Sequence, residues 1–221
     1  VSRCISSLPR AKKGIYLLKE SDSKKRMLIH DIKTSDQSGS IEIIPVKNKT
    51  SGQASTCLLG AKNADSDASL MISSCDYEII YNQSRLMSLK SNDPDVLIFT
   101  FRLKSLPVGS YENFAYVKHE NNKVTEVIEK KCISNKPWLD QMVTGTFWYK
   151  KSKYFVDSAQ EMIKQDIKVN NEHYVGTSIN LLINSGMNVM FFEVDKWVSF
   201  GDPLELELYY FWDSYFSSSV D

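Results

Sequence analysis

An α/β fold is predicted for this 221-residue chain by three observations. Through the first two-thirds, short continuous apolar runs rich in β-branched and aromatic residues alternate with helical patterns. Runs without polar alternation are those of strands covered on both faces, and strands separated by helices predict a parallel sheet. Beyond that, strand-like runs follow one another across short polar turns, as antiparallel strands added to the parallel sheet would. The length is also sufficient to bury a core without disulfide or metal staples.

The first predicted strand is 14–18 (GIYLL), bounded by basic residues and by Glu20-Ser21-Asp22. Residues 41–46 (IEIIPV) form the second, closed by Lys47-Asn48-Lys49-Thr50. After the turn Thr50-Ser51-Gly52, residues 53–61 (QASTCLLGA) read as a helix. A short apolar strand follows at 70–73 (LMIS), and another at 96–101 (VLIFTF), led in by Asp93-Pro94-Asp95. Residues 114–118, 124–129 and 143–149 are strands in succession, and Glu120-Asn121-Asn122-Lys123 is the hairpin turn between the first two. An amphipathic helix over 152–166 sets Tyr154, Phe155, Ala159, Met162 and Ile163 on one face. A second helix covers 178–185, with Gly186 as its stop. Residues 189–194 are a strand. A last helix starts at Pro203, a suitable first-turn residue, and runs through Tyr209-Tyr210-Phe211-Trp212. That aromatic end suits either a subunit interface or the core. Segment 34–40 (TSDQSGS) reads as a loop, and residues 1–221 read as one domain without internal repeats.

Composition removes several classes of function. Lys and Arg number 27 and Asp and Glu 27, so the basic excess that general nucleic-acid binding needs is absent. No apolar run approaches the roughly 20 residues of a membrane helix, and no signal peptide opens the chain. Cys4, Cys57, Cys75 and Cys132 form no C-x-x-C pair and have no histidine at finger spacing, which argues against structural zinc and for free thiols in a reducing cytoplasm.

Six constellations are candidates for carrying chemistry. Asp76, in Ser73-Ser74-Cys75-Asp76-Tyr77, follows the 70–73 strand, where open α/β sheets bind ligands and a carboxylate can hold Mg²⁺ beside substrate phosphates. Such an Asp can equally cap a turn. Gly52 and Gln53 open a helix, a place for close backbone approach and anions, with a side chain able to read a nucleobase edge. Glu129 and Lys130 end a strand, suited to sugar hydroxyls and to a phosphate, or to a solvated strand end. Gly145 lies in Thr144-Gly145-Thr146 before Phe147-Trp148-Tyr149. Glu172 and Thr177 belong to a polar cluster, Asn171 to Ser178, that precedes a helix. The sixth is the junction Asp195-Lys196-Trp197-Val198-Ser199-Phe200-Gly201-Asp202-Pro203.

Their order along residues 15–212 resembles the sugar-phosphate nucleotidyltransferase family, also called nucleotide-sugar pyrophosphorylases, and looks most like its capsule-associated bacterial branch. The resemblance implies a Rossmann-like mixed sheet of the glycosyltransferase-A-like nucleotidyltransferase type. It implies joining an NTP and a sugar 1-phosphate into an NDP-sugar and pyrophosphate, for surface or capsular polysaccharide precursors. By residue, it implies Asp76 as the Mg²⁺ ligand and, with Lys130, the catalytic pair. Gly52 and Gln53 would bind the nucleotide, and Glu129, Gly145, Glu172 and Thr177 the sugar side. NTP and sugar phosphate are the expected partners, in a cytoplasmic protein without nucleic-acid or membrane binding and with scope for a homo-oligomer.

Two features depart from the family pattern. Many members carry a second metal Asp where this chain has Ser199. The family's first strand and Gly-rich G-x-G-x-R loop, which stabilise the triphosphate, have no counterpart here, so the expectation is a domain lacking that piece. The alternatives are a non-catalytic nucleotide-sugar-binding domain, and a cytidylyltransferase for a non-sugar phosphate whose quaternary ammonium would sit in an aromatic box of Trp138, Trp148 or Tyr149.

Overall fold

The computed structural model describes residues 1–103 and 111–218. Its elements, in chain order, are α1 (Ser2–Ser6), β1 (Gly14–Lys19), α2 (Arg26–Ser35), β2 (Ile41–Val46), α3 (Gln53–Ala61), β3 (Leu70–Ile72), β4 (Tyr77–Ile80), α4 (Gln83–Lys90) and β5 (Val96–Phe101). They continue with β6 (Ala115–Glu120), β7 (Lys123–Glu129), β8 (Met142–Tyr149), α5 (Ser152–Lys164), α6 (Val175–Asn184), β9 (Val189–Glu193), β10 (Lys196–Ser199) and α7 (Pro203–Ser217).

The main sheet has six strands in the order β3-β8-β5-β9-β7-β6. At its middle, β5 runs parallel to β9 and antiparallel to β8, and all six of its residues are buried. That explains its unbroken apolar run: both faces are covered. Val96 and Ile98 meet Ala54 of α3, Phe155, Ala159 and Met162 of α5, and Val175, Ile179 and Leu182 of α6. Leu97, Phe99 and Phe101 point the other way, onto Tyr77, Ile79, Leu86, Tyr116, Met142, Phe192 and Val194. Each such fully buried side chain contributes about 1.5–3 kcal/mol. Tyr116 of β6 also pairs with Met142 of β8, so the pairings of β8, β5, β9, β7 and β6 close on themselves.

The β6–β7 hairpin turns through Asn121 and Asn122, both at positive φ (48° and 68°), the conformation a two-residue primed turn needs. Helix α5 buries Phe155, Ala159 and Met162 along one stripe, and α6 stops at Gly186, whose φ is 86°. Helix α6 starts at Val175, three residues before the predicted start, which brings Thr177 into its first turn.

The predicted parallel sheet of the first two-thirds is corrected. β1 and β2 do pair in parallel, from Gly14 with Ile41 to Lys19 with Val46, but they form a two-stranded sheet of their own. β3 is not a central strand. It is an edge of three residues, antiparallel to β8, from Leu70 with Tyr149 to Ile72 with Phe147. A ribbon of β4 with β10, antiparallel from Lys196 with Ile80 to Ser199 with Tyr77, was not read from the sequence. Four-residue strands of mixed polarity carry too little period to register. Helices α2 and α4 were also unread, and the last residues of α2, Thr34 and Ser35, overlap the predicted loop.

Candidate functional site

Ser73 to Asp76 leave the end of β3, and β4 starts at Tyr77. The Asp76 carbonyl accepts the Phe200 N–H at 2.7 Å, which ties the segment to the β10–α7 junction. Its carboxylate accepts from Ser74 Oγ through Oδ1. A Cβ on Gly201 would lie 3.2 Å from the second oxygen, Oδ2, so a glycine there keeps that oxygen uncrowded. The carboxylate is exposed. Behind it, the buried Tyr77 hydroxyl bonds Thr146 Oγ1 at 2.6 Å and Ser73 Oγ at 3.0 Å. Burial pushes this phenol up, so it stays neutral.

Gly145 sits against the same tyrosine. Between Ile98–Phe147 and Thr100–Val143 the β5–β8 register shifts, and β8 bulges. Gly145 occupies the bulge at φ 95°, and Thr146 N–H donates to Thr144 Oγ1 at 3.1 Å. A side chain at 145 would be strained by that backbone and would meet the Tyr77 ring at 3.3 Å.

The remaining predicted residues form a second cluster. Gly52 caps α3 at φ 135°, and a Cβ there would lie 2.5 Å from the His173 nitrogen. That closeness is used. Ala54 N–H donates to the His173 carbonyl at 2.9 Å, and His173 N–H donates to the Ser51 carbonyl at 2.8 Å. Two backbones are thus laid side by side, with Gln53 on one and Glu172 on the other. Buried His173 also reaches Ser51 Oγ through Nδ1 at 2.9 Å, while its Nε2 has no hydrogen-bond partner among the described residues and lies 3.7 Å from Asp166 Oδ1.

Tyr174 links this strip to β7. Burial, with the Glu172 carboxylate nearby, pushes its phenol up to about 12. Lys130, at positive φ (56°), holds its ammonium 5.5 Å from the Tyr174 ring centre and donates to the Asn113 carbonyl. Glu129 packs over the first turn of α6, where a Cβ on Gly176 would collide with its Oε1. Burial pushes the Glu129 carboxyl up to about 7, with the Lys130 charge opposing. Thr177, on the same turn, has a buried hydroxyl without a partner among the described residues.

Register shows how the two clusters relate. Ile72 pairs with Phe147, Tyr116 with Met142 and Ala115 with Glu129. Both clusters therefore lie toward the N-terminal end of β8, with Gly145 on the strand that joins them. That is also the carboxyl end of β3 and β5. His173, Tyr174 and Tyr77 were not singled out from the sequence. The histidine and Tyr174 lay inside a flagged cluster, and a neighbouring carboxylate was their only signal.

Three other residues of the 195–203 junction already have partners, although Ser199 lies opposite Tyr77 and Asp202 follows Gly201 beside Asp76. Asp195 pairs with Arg85 at 2.9 Å, and Asp202 caps α7 by accepting the Leu204 N–H at 2.8 Å. Ser199 Oγ donates to Glu205 Oε2. The aromatic box is not formed. Trp148 and Tyr149 are consecutive on β8 and face opposite sides of the sheet; Lys90 lies 4.2 Å from the Trp148 ring centre, and Tyr149 is wholly buried against Phe155. Trp138 stands beside Tyr111 instead.

Among the described residues no group of three or more His, Cys, Asp or Glu gathers into a metal cage. Mg²⁺ does not need one, since one or two carboxylates plus substrate phosphates and water complete its shell. An exposed Asp76 carboxylate with Oδ2 uncrowded fits that mode. A cleft of about 1170 Å³ lies away from these residues, between α4 and the β6–β7–β9 side, around Arg85, Arg102, Gln141 and Glu193. Its arginines are already engaged: Arg102 forks onto Glu193, with both contacts at 2.9 Å, and Arg85 pairs with Asp195.

No family model and no curated protein matches the sequence. In three dimensions the chain has a mixed α/β fold like that of the sugar-phosphate nucleotidyltransferases. It is similar to a nucleoside-diphosphate-sugar pyrophosphorylase from Vibrio cholerae, with TM-score 0.68 and 18% identity over 89% of this chain and 80% of that one. The inositol-1-phosphate CTP transferase from T. maritima follows, with TM-score 0.63 and 16% identity over 88% and 72% of the two chains. A candidate glucose-1-phosphate thymidylyltransferase from Bacillus anthracis gives TM-score 0.58 and 17% identity over 89% and 93%. No helix among the described residues is long and apolar enough to cross a membrane.

Proposed function

We propose that this chain is a nucleotidyltransferase that joins an NTP to a sugar 1-phosphate, giving an NDP-sugar and pyrophosphate. A single observation carries the reading: the residues singled out for nucleotide, metal and sugar, scattered from Gly52 to Thr177, gather toward one end of β8 on a fold shared with nucleotidyltransferases. In the proposed reaction a sugar-phosphate oxygen attacks the α-phosphorus of the NTP and pyrophosphate leaves. The protein's work is positioning and charge neutralisation. Gln53 reads the base beside the Gly52 backbone. Asp76 holds Mg²⁺, whose charge, when bound, offsets that of the phosphates. Lys130 exchanges the Asn113 carbonyl for a phosphate oxygen. Glu129 and Glu172 accept sugar hydroxyls, Thr177 offers its hydroxyl, and the Gly145 backbone borders the ring. The product would feed surface or capsular polysaccharide synthesis in the cytoplasm. The likeness to an inositol-1-phosphate CTP transferase favours a second reading, in which the acceptor is a cyclitol phosphate and CTP the donor.

Pyrophosphate release with CTP, UTP, GTP and dTTP, against sugar 1-phosphates and inositol 1-phosphate, tests both readings. Mg²⁺-dependent release with one pair is expected, and Asp76→Asn should lower it at least about 100-fold with unchanged Tm. Turnover retained in that variant removes Asp76 from the mechanism. Thermal unfolding separates the non-catalytic alternative. A nucleotide at about 100 times its Kd adds roughly 2.7 kcal/mol, or about 5–10 °C here. Such a rise without any release would make the chain a binding domain.

A further inference from the structure

Around the start of α3 stand four hydroxyls, on Thr50, Ser51, Ser55 and Thr56. Where their hydrogens point decides what a ligand beside Gly52 and Gln53 meets. His173 settles one pair. Its ring is 2% exposed, with Nδ1 at 2.9 Å from Ser51 Oγ and Nε2 at 3.7 Å from Asp166 Oδ1. A neutral imidazole carries one N–H and one bare nitrogen. A bare Nε2 would turn its lone pair on the Asp166 carboxylate, so the N–H belongs on Nε2 and Nδ1 is the acceptor. Ser51 Oγ then donates to Nδ1. It also lies 2.7 Å from Ser55 Oγ and, with its own hydrogen spent, it accepts the Ser55 hydrogen. Ser55 Oγ has a second inward acceptor in Nδ1, at 3.4 Å. Both hydrogens are thus drawn inward, and Ser55 Oγ keeps lone pairs alone for a ligand.

The second pair behaves alike. Thr50 and Thr56 bond each other through Oγ1, and both reach the Gly52 carbonyl, at 3.2 and 3.1 Å. Each of their hydrogens has an acceptor within the loop. The hydroxyls around Gly52 and Gln53 therefore offer oxygen lone pairs outward. The Gln53 amide can turn either end to a ligand and does not discriminate.

We propose that His173 is a positioning residue that, through Ser51, holds these hydroxyls as acceptors, and that the donor NTP is one whose base carries an exocyclic amine. This narrows the nucleotidyl transfer proposed above, on which it rests, since Gly52 and Gln53 meet the base there. Cytosine, adenine and guanine bring N–H donors to such oxygens. Uracil and thymine bring a carbonyl oxygen where cytosine has its amine, and two oxygens with no hydrogen between them repel. A site built to bond a donor rejects the analogue without one, because its own polar groups are left unpaired.

Calorimetric titration of the 221-residue chain tests this with CTP against UTP, and with ATP and GTP against ITP, which lacks the amine of each. The amine-bearing nucleotide that binds should do so at least about tenfold more tightly than its counterpart. His173→Phe keeps a buried ring but removes the Nδ1 acceptor and frees the Ser51 hydrogen, so the preference should fall to about twofold or less. His173→Asn, whose side-chain oxygen takes the place of Nδ1, should keep it. A merely structural histidine would not make the preference follow the acceptor. Ser55→Ala should lose the preference with wild-type Tm. UTP or dTTP binding as tightly as every amine-bearing nucleotide overturns the proposal. So does a preference that survives both His173→Phe and Ser55→Ala, or one lost in His173→Asn at wild-type Tm. Absence of binding by every nucleotide overturns it together with the proposed reaction. The expected preference without pyrophosphate release removes the reaction alone, and release with UTP or dTTP in preference to the others removes the base assignment alone.

Discussion

Glu129 shows how one buried group couples the candidate site to stability. Its pKa rises from 4.5 to about 7 because burial penalises the carboxylate more than Lys130 stabilises it. Between these values the unfolded chain has lost the proton and the folded chain keeps it. Stability therefore falls as pH rises through that window and levels above 7. Glu129→Gln removes this slope, so urea unfolding should find the variant close to wild type near pH 4 and more stable than wild type at pH 8. Parallel pH profiles for the two proteins would mean that Glu129 titrates alike in the folded and unfolded chain. The chemical type of these residues was legible: a Glu-Lys pair, a Gly-Gln pair and an Asp after an apolar strand. His173 and Tyr174 were not, because their roles rest on Gly52 and Glu129, distant in sequence and brought beside them by folding.

At the scale of elements, α6 positions much of the sugar-side cluster, and one side chain fastens it. Asn180 accepts the Val127 N–H at 2.8 Å and donates to the Val127 carbonyl at 2.9 Å, so it pairs with β7 as a neighbouring strand would. Among the described residues the β7–β9 register holds one pair, Lys123 with Met190, and Asn180 of α6 takes up the Val127 backbone further along β7. Asn180→Ala leaves a buried donor unpaired, at a cost of about 1–3 kcal/mol. The expected fall in Tm is about 2–12 °C. Because the clamp also holds Gly176 against Glu129, KM for the acceptor should rise more than kcat falls. A Tm within a degree of wild type would mean that water replaces the amide at no cost.

For the whole molecule, the six-stranded sheet and the β1–β2 pair differ in burial. Every residue of β5 is buried, whereas none in β1 or β2 is. Local opening follows buried contact, so the two sheets should open at different free energies. Amide exchange in β1 and β2 is expected to run at least about tenfold faster than in β5 and β9, a gap of about 1.4 kcal/mol. Equal protection would show that the pair opens only with the main sheet.

The amino-acid sequence alone determined most strands and helices, since the period of apolar residues is a local property set by which face each side chain must bury. It also determined the Asn121-Asn122 turn, the Gly186 stop and the chemical types in the candidate site. Tertiary structure decided the neighbours. It made β3 an edge, set β1 and β2 apart, joined β4 to β10, brought Gly201 to Asp76 and His173 to Gly52, and turned the α7 aromatics outward instead of into the core. Pairing and docking depend on contacts between residues far apart in the chain, and no local period encodes which distant surface a given face will meet.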